Sequence, residues 1–203
     1  MKRLLKVFRK KNHSRDITIV SGLPRSGTSM MMKMLEAGGL LPLTDNLRTA
    51  DDDNPKGYYE FERVKKLVDG DNSWLAEAEG KVVKVISALL LYLPPAYTYR
   101  IIFMKRSMPE ILASQKKMLV RRKEDADDTS DEEMAGLYME HLQQVDAWVN
   151  SQPNIMRLDI NFNELLEDPK PHIEMINKFL DGILDSEKAE AVIDPKLYRQ
   201  RKK

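Results

Sequence analysis

Ile17-Thr18-Ile19-Val20-Ser21-Gly22-Leu23-Pro24-Arg25-Ser26-Gly27-Thr28-Ser29 is the stretch that decides the fold. A short β-branched run reads as a buried strand. It enters a glycine-bounded loop, and a helical pattern opens near Gly27. That order gathers backbone N–H groups at a helix N-terminus, where the macrodipole favours an anion. Gly22 and Gly27 have the spacing of G-x-x-x-x-G-K-[ST], and Ser29 falls on its hydroxyl position. Thr28, however, stands where that motif has lysine, and the nearest cation is Arg25, inside the loop. The loop therefore predicts a site for a phosphate-like anion that is not built for a nucleoside triphosphate with magnesium. A ligand-free strand-to-helix turn is the competing reading, and the ordered hydroxyls and Arg25 weigh against it. Pro24 preorganises the turn, Thr28 and Ser29 offer hydroxyl donors, and Arg25 can fork onto two oxygens of one anion.

Working outward, strands and helices alternate. Residues 16–21 read as a strand and 27–37 as a helix, closed by Gly38-Gly39 through a left-handed C-cap. Residues 40–60 read as irregular, with Pro42, Asp51-Asp52-Asp53 and the turn Asn54-Pro55-Lys56-Gly57; a loop this long is commonly functional. A helix is expected over 62–69, extending toward 78, then strands over 81–87 and 99–104. Pro109 suits the first turn of a helix reaching about 121. An acidic loop, a helix over 134–150, a strand over 154–160 and helices over 162–166, 171–180 and after 186 complete the pattern. The alternation predicts an α/β fold: one domain with a P-loop-like parallel β-sheet flanked by helices. Neither a repeat nor a linker divides residues 1–203; 1–15 form a basic lead-in and 195–203 a basic tail.

Composition narrows the class. A net charge of +1 gives no global pull toward nucleic acid. The absence of cysteine excludes disulfides and thiolate metal sites. The lead-in lacks an export-type apolar core, and no later run is long enough to span a membrane. The expectation is a soluble, cytoplasmic protein.

A second signal lies at the end of the third expected strand. Tyr99-Arg100-Ile101-Ile102-Phe103-Met104 runs into Lys105 and Arg106, not into the aspartate that would help hold magnesium. Ser114 lies eight positions after Arg106, in the following helix. Arg106 and Ser114 are suited to share one phosphate; alternatively Arg106 caps a helix or pairs with Glu110, and Ser114 is a small packing residue.

Together these segments resemble the PAPS-dependent sulfotransferases. The family loop P-[KR]-[ST]-G-[ST]-[ST] is matched by Pro24-Arg25-Ser26-Gly27-Thr28-Ser29, and its strand-end Arg with a Ser eight residues on by Arg106 and Ser114. Phe162-Asn163-Glu164-Leu165-Leu166-Glu167-Asp168-Pro169, then Phe179-Leu180, resembles Y-E-D-L-x-x-D-P…F-L. The Arg form of the loop looks most like the tyrosylprotein, carbohydrate and bacterial branches. The resemblance implies that the loop holds the 5′-phosphosulfate, that Arg106 and Ser114 hold the 3′-phosphate, and that transfer is in-line and metal-free. It implies PAPS as co-substrate and PAP as product. Gly27, Thr28 and Ser29 would hold the 5′-phosphate, and Arg25 would stabilise charge on the sulfonate and the leaving oxygen.

An acceptor hydroxyl also needs a base. The K-T-H segment of the soluble branch is matched by Lys84-Val85-Ile86, without histidine, and His13, His141 and His172 lie outside the motifs. Asn54-Pro55-Lys56-Gly57-Tyr58-Tyr59-Glu60 resembles the N-P-x-G-Y-[WFY]-E element of bacterial relatives and favours Glu60. Glu60 as a helix-start cap or ion-pair partner, Glu62 and Asp45 remain alternatives. Lys84 either faces the sulfonate, pairs with Glu60, or keeps its head in water. Phe162 stacks on adenine or packs in the core, and Arg199 or Arg201 replaces the family's glycine-rich phosphate loop or belongs to a disordered tail. Met30, Met31, Met32 and Met34 read as core fillers, and Asp51–Asp53 as a solvated loop or, alternatively, a contact for a cationic acceptor. The leading reading is a sulfotransferase acting on a hydroxyl or amine of a small-molecule, glycan or peptide acceptor. A non-catalytic PAP-binding module and a divergent P-loop kinase are the alternatives.

Overall fold

The fold is described by a computed structural model over residues 15–45, 59–122 and 129–193. Arg199, Arg201, Asp51–Asp53 and the turn from Asn54 to Tyr58 lie outside the described residues. Four strands, β1 (Ile17–Gly22), β2 (Val82–Lys84), β3 (Tyr99–Lys105) and β4 (Ile155–Asn161), form one parallel sheet in the order β2-β1-β3-β4. The helices are α1 (Thr28–Ala37), α2 (Leu75–Ala78), α3 (Met108–Arg122), α4 (Asp131–Ser151), α5 (Phe162–Glu167), α6 (Pro169–Phe179) and α7 (Ser186–Ala191). Two 3-10 helices, Glu62–Asp69 and Ser87–Tyr92, flank β2 in sequence. This is the expected single-domain α/β, P-loop-like arrangement.

The sheet is covered on both faces, which is why β1 and most of β3 read as near-continuous apolar runs. Side chains still alternate. Val20, Val82, Ile102 and Met104 join one core with Met31, Met32, Met34 and Leu35 of α1 and Leu165, Ile173 and Ile176 of α5 and α6. Ile17, Ile19, Val83, Ile101 and Phe103 join the other with Trp74, Leu75, Leu90, Val145 and Val149. The methionines of α1 are core fillers, with Met30 partly buried against the same cluster.

Two local expectations are corrected. The second strand is three residues long, not seven; the chain leaves it at Val85 and turns into the 3-10 helix from Ser87. The helix after Phe61 is a 3-10 helix and stops at Gly70, whose φ of +81° ends it. The Asp71 carboxylate then takes the Ser73 amide at 3.2 Å, so the chain turns before α2. At the end of α1, Gly38 is right-handed and Gly39, at φ +106°, makes the left-handed turn.

The amino end of the sheet is tied by a buried cation. Arg100, 6% exposed, donates to Asp16 at 2.8 Å and to the Phe179 carbonyl at 2.5 Å, and pairs with Asp181. It joins β3 to the segment before β1 and to the end of α6. Arg100→Met removes that cation from two carboxylates and a carbonyl. It is expected to lower the unfolding free energy by about 1–3 kcal/mol in urea denaturation. An unchanged midpoint would show that packing alone holds these segments.

Candidate anion-binding site

The strand order sets the place of the site. The chain leaves β1 toward β2 on one side and leaves β3 toward β4 on the other. The carboxyl ends of β1 and β3 therefore border the crevice where open α/β sheets bind ligands. The loop from Gly22 to Thr28 and the corner from Arg106 to Met108 follow those two strand ends and touch where Arg106 Nη1 donates to the Arg25 carbonyl.

The loop is held in an uncommon shape. Leu23-Pro24-Arg25-Ser26 closes on itself, with the Ser26 amide on the Leu23 carbonyl at 3.2 Å. Arg25, at φ +70°, occupies the third turn position, where a positive φ ordinarily calls for glycine. Gly27 follows at φ +99° as the N-cap of α1. A Cβ on Gly27 would sit 2.2 Å from the Phe162 ring, and one on Gly22 would sit 2.5 Å from the Ser26 hydroxyl and 2.6 Å from the Met104 carbonyl. Both glycines are thus required by their neighbours as well as by their backbones. No side chain caps α1, and no acid stands in its first turn. Its first amides lack intrahelical acceptors, a ready anion site. By contrast, α4 has a full Ser130–Glu133 capping box, and Asn161 caps α5.

On the β3 side, Arg25 Nε donates to Ser114 Oγ at 2.9 Å. Ser114 is 8% exposed, and its own O–H remains a donor for a ligand oxygen. Arg106 donates through Nε to Glu110 at 2.9 Å and through Nη1 to the Arg25 carbonyl at 3.0 Å. A guanidinium has five N–H donors; the remaining Arg106 donors meet no described protein acceptor. Of the two alternatives for Arg106, the ion pair with Glu110 is present. Its guanidinium also lies over the Phe162 ring, 4.6 Å from the centroid. Phe162, 5% exposed, packs in the core beneath Gly27 and Arg106.

On the β2 side, Lys84 ends its strand with a side chain 9% exposed. Its ammonium lies 3.9 Å from Glu60 and 3.5 Å from Ser29 Oγ. The Glu60 carbonyl takes Thr44 Oγ1 at 2.8 Å and the Asp45 amide at 3.3 Å, which pins this strap beside the sheet. The three carboxylate candidates separate: Asp45 accepts the Glu62 amide at 2.6 Å, Glu62 pairs outward with Lys65 at 2.8 Å, and Glu60 faces Lys84. Tyr59, at φ +52°, bonds Glu36; burial, with that carboxylate, pushes its phenol above the usual range.

Ser26 departs from the sequence expectation in orientation. Its side chain is fully buried under Gly22, and its hydroxyl meets no partner among the described residues. Pro24 is exposed at the loop tip. Sequence reasoning missed His141, which α4 brings to Ser87 Oγ at 2.9 Å, three residues past Lys84; burial pushes its imidazole below the usual value. It also missed Asn163, whose amide donates to both Glu110 oxygens at 3.0 and 3.1 Å. No local pattern signals either contact, because each joins segments more than fifty residues apart. Among the described residues no cluster of His, Asp or Glu has the arrangement of a metal site, and no helix is long and apolar enough to cross a membrane.

Gly27→Ala and Gly39→Ala separate backbone from contact. Both glycines have positive φ, but a Cβ on Gly39 meets nothing within 4 Å. Gly39→Ala is expected to cost about 1 kcal/mol and Gly27→Ala roughly 2–4 kcal/mol in urea denaturation. Equal losses would remove the Phe162 contact as a constraint.

No family model matches the chain, and no curated protein matches it. Among solved structures, an unliganded sugar kinase from Janibacter sp. HTCC2649 matches at 12% identity, covering 90% of this chain and 98% of that one, with a TM-score of 0.40. A likeness that low carries no argument about this protein.

Proposed function

We propose that the protein is a sulfotransferase that moves a sulfuryl group from PAPS to a hydroxyl or amine and releases PAP. One observation carries the reading: Arg25, after β1, is bound from the β3 side twice, its side chain by Ser114 Oγ at 2.9 Å and its carbonyl by Arg106 Nη1 at 3.0 Å. That cluster stands beside an uncapped helix N-terminus. A ligand with two separated phosphate ends fits such a divided anion site, and the unspent Arg106 donors fit a terminal phosphate.

PAPS supplies a sulfuryl group on a phosphate leaving group: the acceptor oxygen or nitrogen bonds to sulfur as the sulfur–phosphate-oxygen bond breaks, with PAP keeping the electron pair. Gly27, Thr28 and Ser29 hold the 5′-phosphate at the α1 N-terminus. Arg25 meets charge on the leaving oxygen and sulfonate, and the Arg106–Ser114 corner holds the 3′-phosphate. Glu60 takes the acceptor proton. Lys84, between Glu60 and Ser29, orients the carboxylate toward the loop and adds positive charge where the sulfuryl group passes. Arg199 is a further candidate phosphate contact on the basic tail. The acceptor is a small molecule, glycan or peptide, and a cytoplasmic location remains part of this reading. A non-catalytic PAP-binding module is favoured by one observation only, that Lys84 and Arg106 already carry carboxylate partners.

Thermal shift with PAP, PAPS, ATP and Mg-ATP tests the ligand, because a ligand of the native state raises apparent stability. Stabilisation by PAP and PAPS is expected; stabilisation by Mg-ATP alone would replace this reading with the kinase one. Transfer of labelled sulfate from PAPS into a metabolite extract, read by mass analysis, separates enzyme from binding module. Arg25→Ala is expected to abolish transfer. Glu60→Gln is expected to slow it about 100-fold or more with PAP affinity within threefold, and full activity would remove Glu60 as the base.

A further inference from the structure

The phosphate loop contains a contradiction that its own sequence does not resolve. A turn that asks for glycine at its third position has Arg25 there, at φ +70°. Such a residue persists only where its surroundings hold it. Two contacts from the β3–α3 corner help to do so: Arg106 Nη1 on the Arg25 carbonyl, and Ser114 Oγ under Arg25 Nε.

Arg106 is itself fixed. Its side chain is 8% exposed, and Nε is bound by Glu110, whose side chain is 6% exposed. Asn163 donates to both Glu110 oxygens, and Phe162 lies under the guanidinium while its edge closes the space at Gly27. The segment after β4 thus backs the corner after β3, which backs the loop after β1. Glu110 faces the inside of this stack, and its described contacts are with protein groups.

We propose that Arg106, aimed by Glu110, is a positioning residue for the phosphate loop, so that the two ends of the nucleotide site are coupled through Arg25. Without the Nη1 bond, the Arg25 carbonyl loses the direct contact that Arg106 gives it in the left-handed turn. The amides that follow then lose their common direction. A ligand end that never touches Arg106 is weakened when Arg106 changes. The identity of the ligand rests on the sulfotransferase reading; the brace itself rests on the contacts alone.

Arg106→Lys keeps the charge but lacks the planar fork that reaches Glu110 and Arg25 together. Two measurements follow on the full chain: calorimetric affinity for PAP and for adenosine 5′-phosphate, which has no 3′-phosphate, and hydrogen exchange of the Ser26 and Met31 amides without ligand. Those amides bond the Leu23 and Gly27 carbonyls at 3.2 and 3.1 Å and report the loop directly. Arg106→Lys is expected to weaken adenosine 5′-phosphate at least tenfold and to speed exchange at Ser26 at least tenfold, with β1 amides unchanged. Glu110→Gln is expected to weaken adenosine 5′-phosphate at least threefold, although the site becomes one charge more positive. Ser114→Ala, which removes only a hydroxyl, gives the same exchange signature if Arg106→Lys does not fold.

Loss of PAP affinity with adenosine 5′-phosphate affinity and Ser26 exchange unchanged would make Arg106 a ligand contact only and overturn the proposal. Tighter nucleotide binding in Glu110→Gln would overturn the part given to Glu110. If the wild-type protein binds neither nucleotide, the sulfotransferase reading falls, and the exchange comparison alone decides the brace.

Discussion

The bond from the Arg106 guanidinium to the Arg25 carbonyl joins the two halves of the crevice. On one side of it lies a loop in a backbone shape that arginine does not favour. On the other lies an ion pair whose two side chains are 8% and 6% exposed. A surface ion pair is worth little, and a buried one earns its desolvation only through further hydrogen bonds. Arg106 and Glu110 have them, from the Arg25 carbonyl and the Asn163 amide.

The rest of the architecture serves this contact. A parallel sheet with both faces covered brings the carboxyl ends of β1 and β3 side by side, since their residues pair one for one from Ile17–Tyr99 to Gly22–Met104. The amino end of the same strands is tied by Arg100 to Asp16 and Asp181. One buried charge cluster therefore ties the amino end of the sheet. The buried Arg106–Glu110 pair lies at the other.

Much of the site was legible locally. The strand, the glycine-bounded loop and the helix follow from residues adjacent in sequence, so Gly22, Gly27 and the first turn of α1 were placed correctly. Arg106 with Glu110 was visible as an i,i+4 pair at a helix start. For Lys84 the sequence offers the sulfonate, Glu60 or water, and the fold places it against Glu60. The inward turn of Ser26 was hidden, because it depends on the space left by Gly22. The role of Phe162 was hidden too: only the folded chain shows its ring filling the place where Gly27 has no Cβ. The second strand was read too long because Val82, Val83, Val85 and Ile86 have strand-like side chains throughout. Nothing in composition marks the point where the chain leaves the sheet.

The sequence by itself determined the alternation of strands and helices, the anion-seeking loop and the cationic end of β3, because each is written in neighbouring residues through backbone propensity and side-chain period. The tertiary structure alone decided which carboxylate faces Lys84, that Arg25 leans on Ser114, and that Asn163 stands behind the Arg106–Glu110 pair. Those contacts span twenty-four to eighty-nine positions, by an ion pair and hydrogen bonds between separate elements. No local propensity encodes them: they exist only once the packed sheet has brought three strand ends to a common edge.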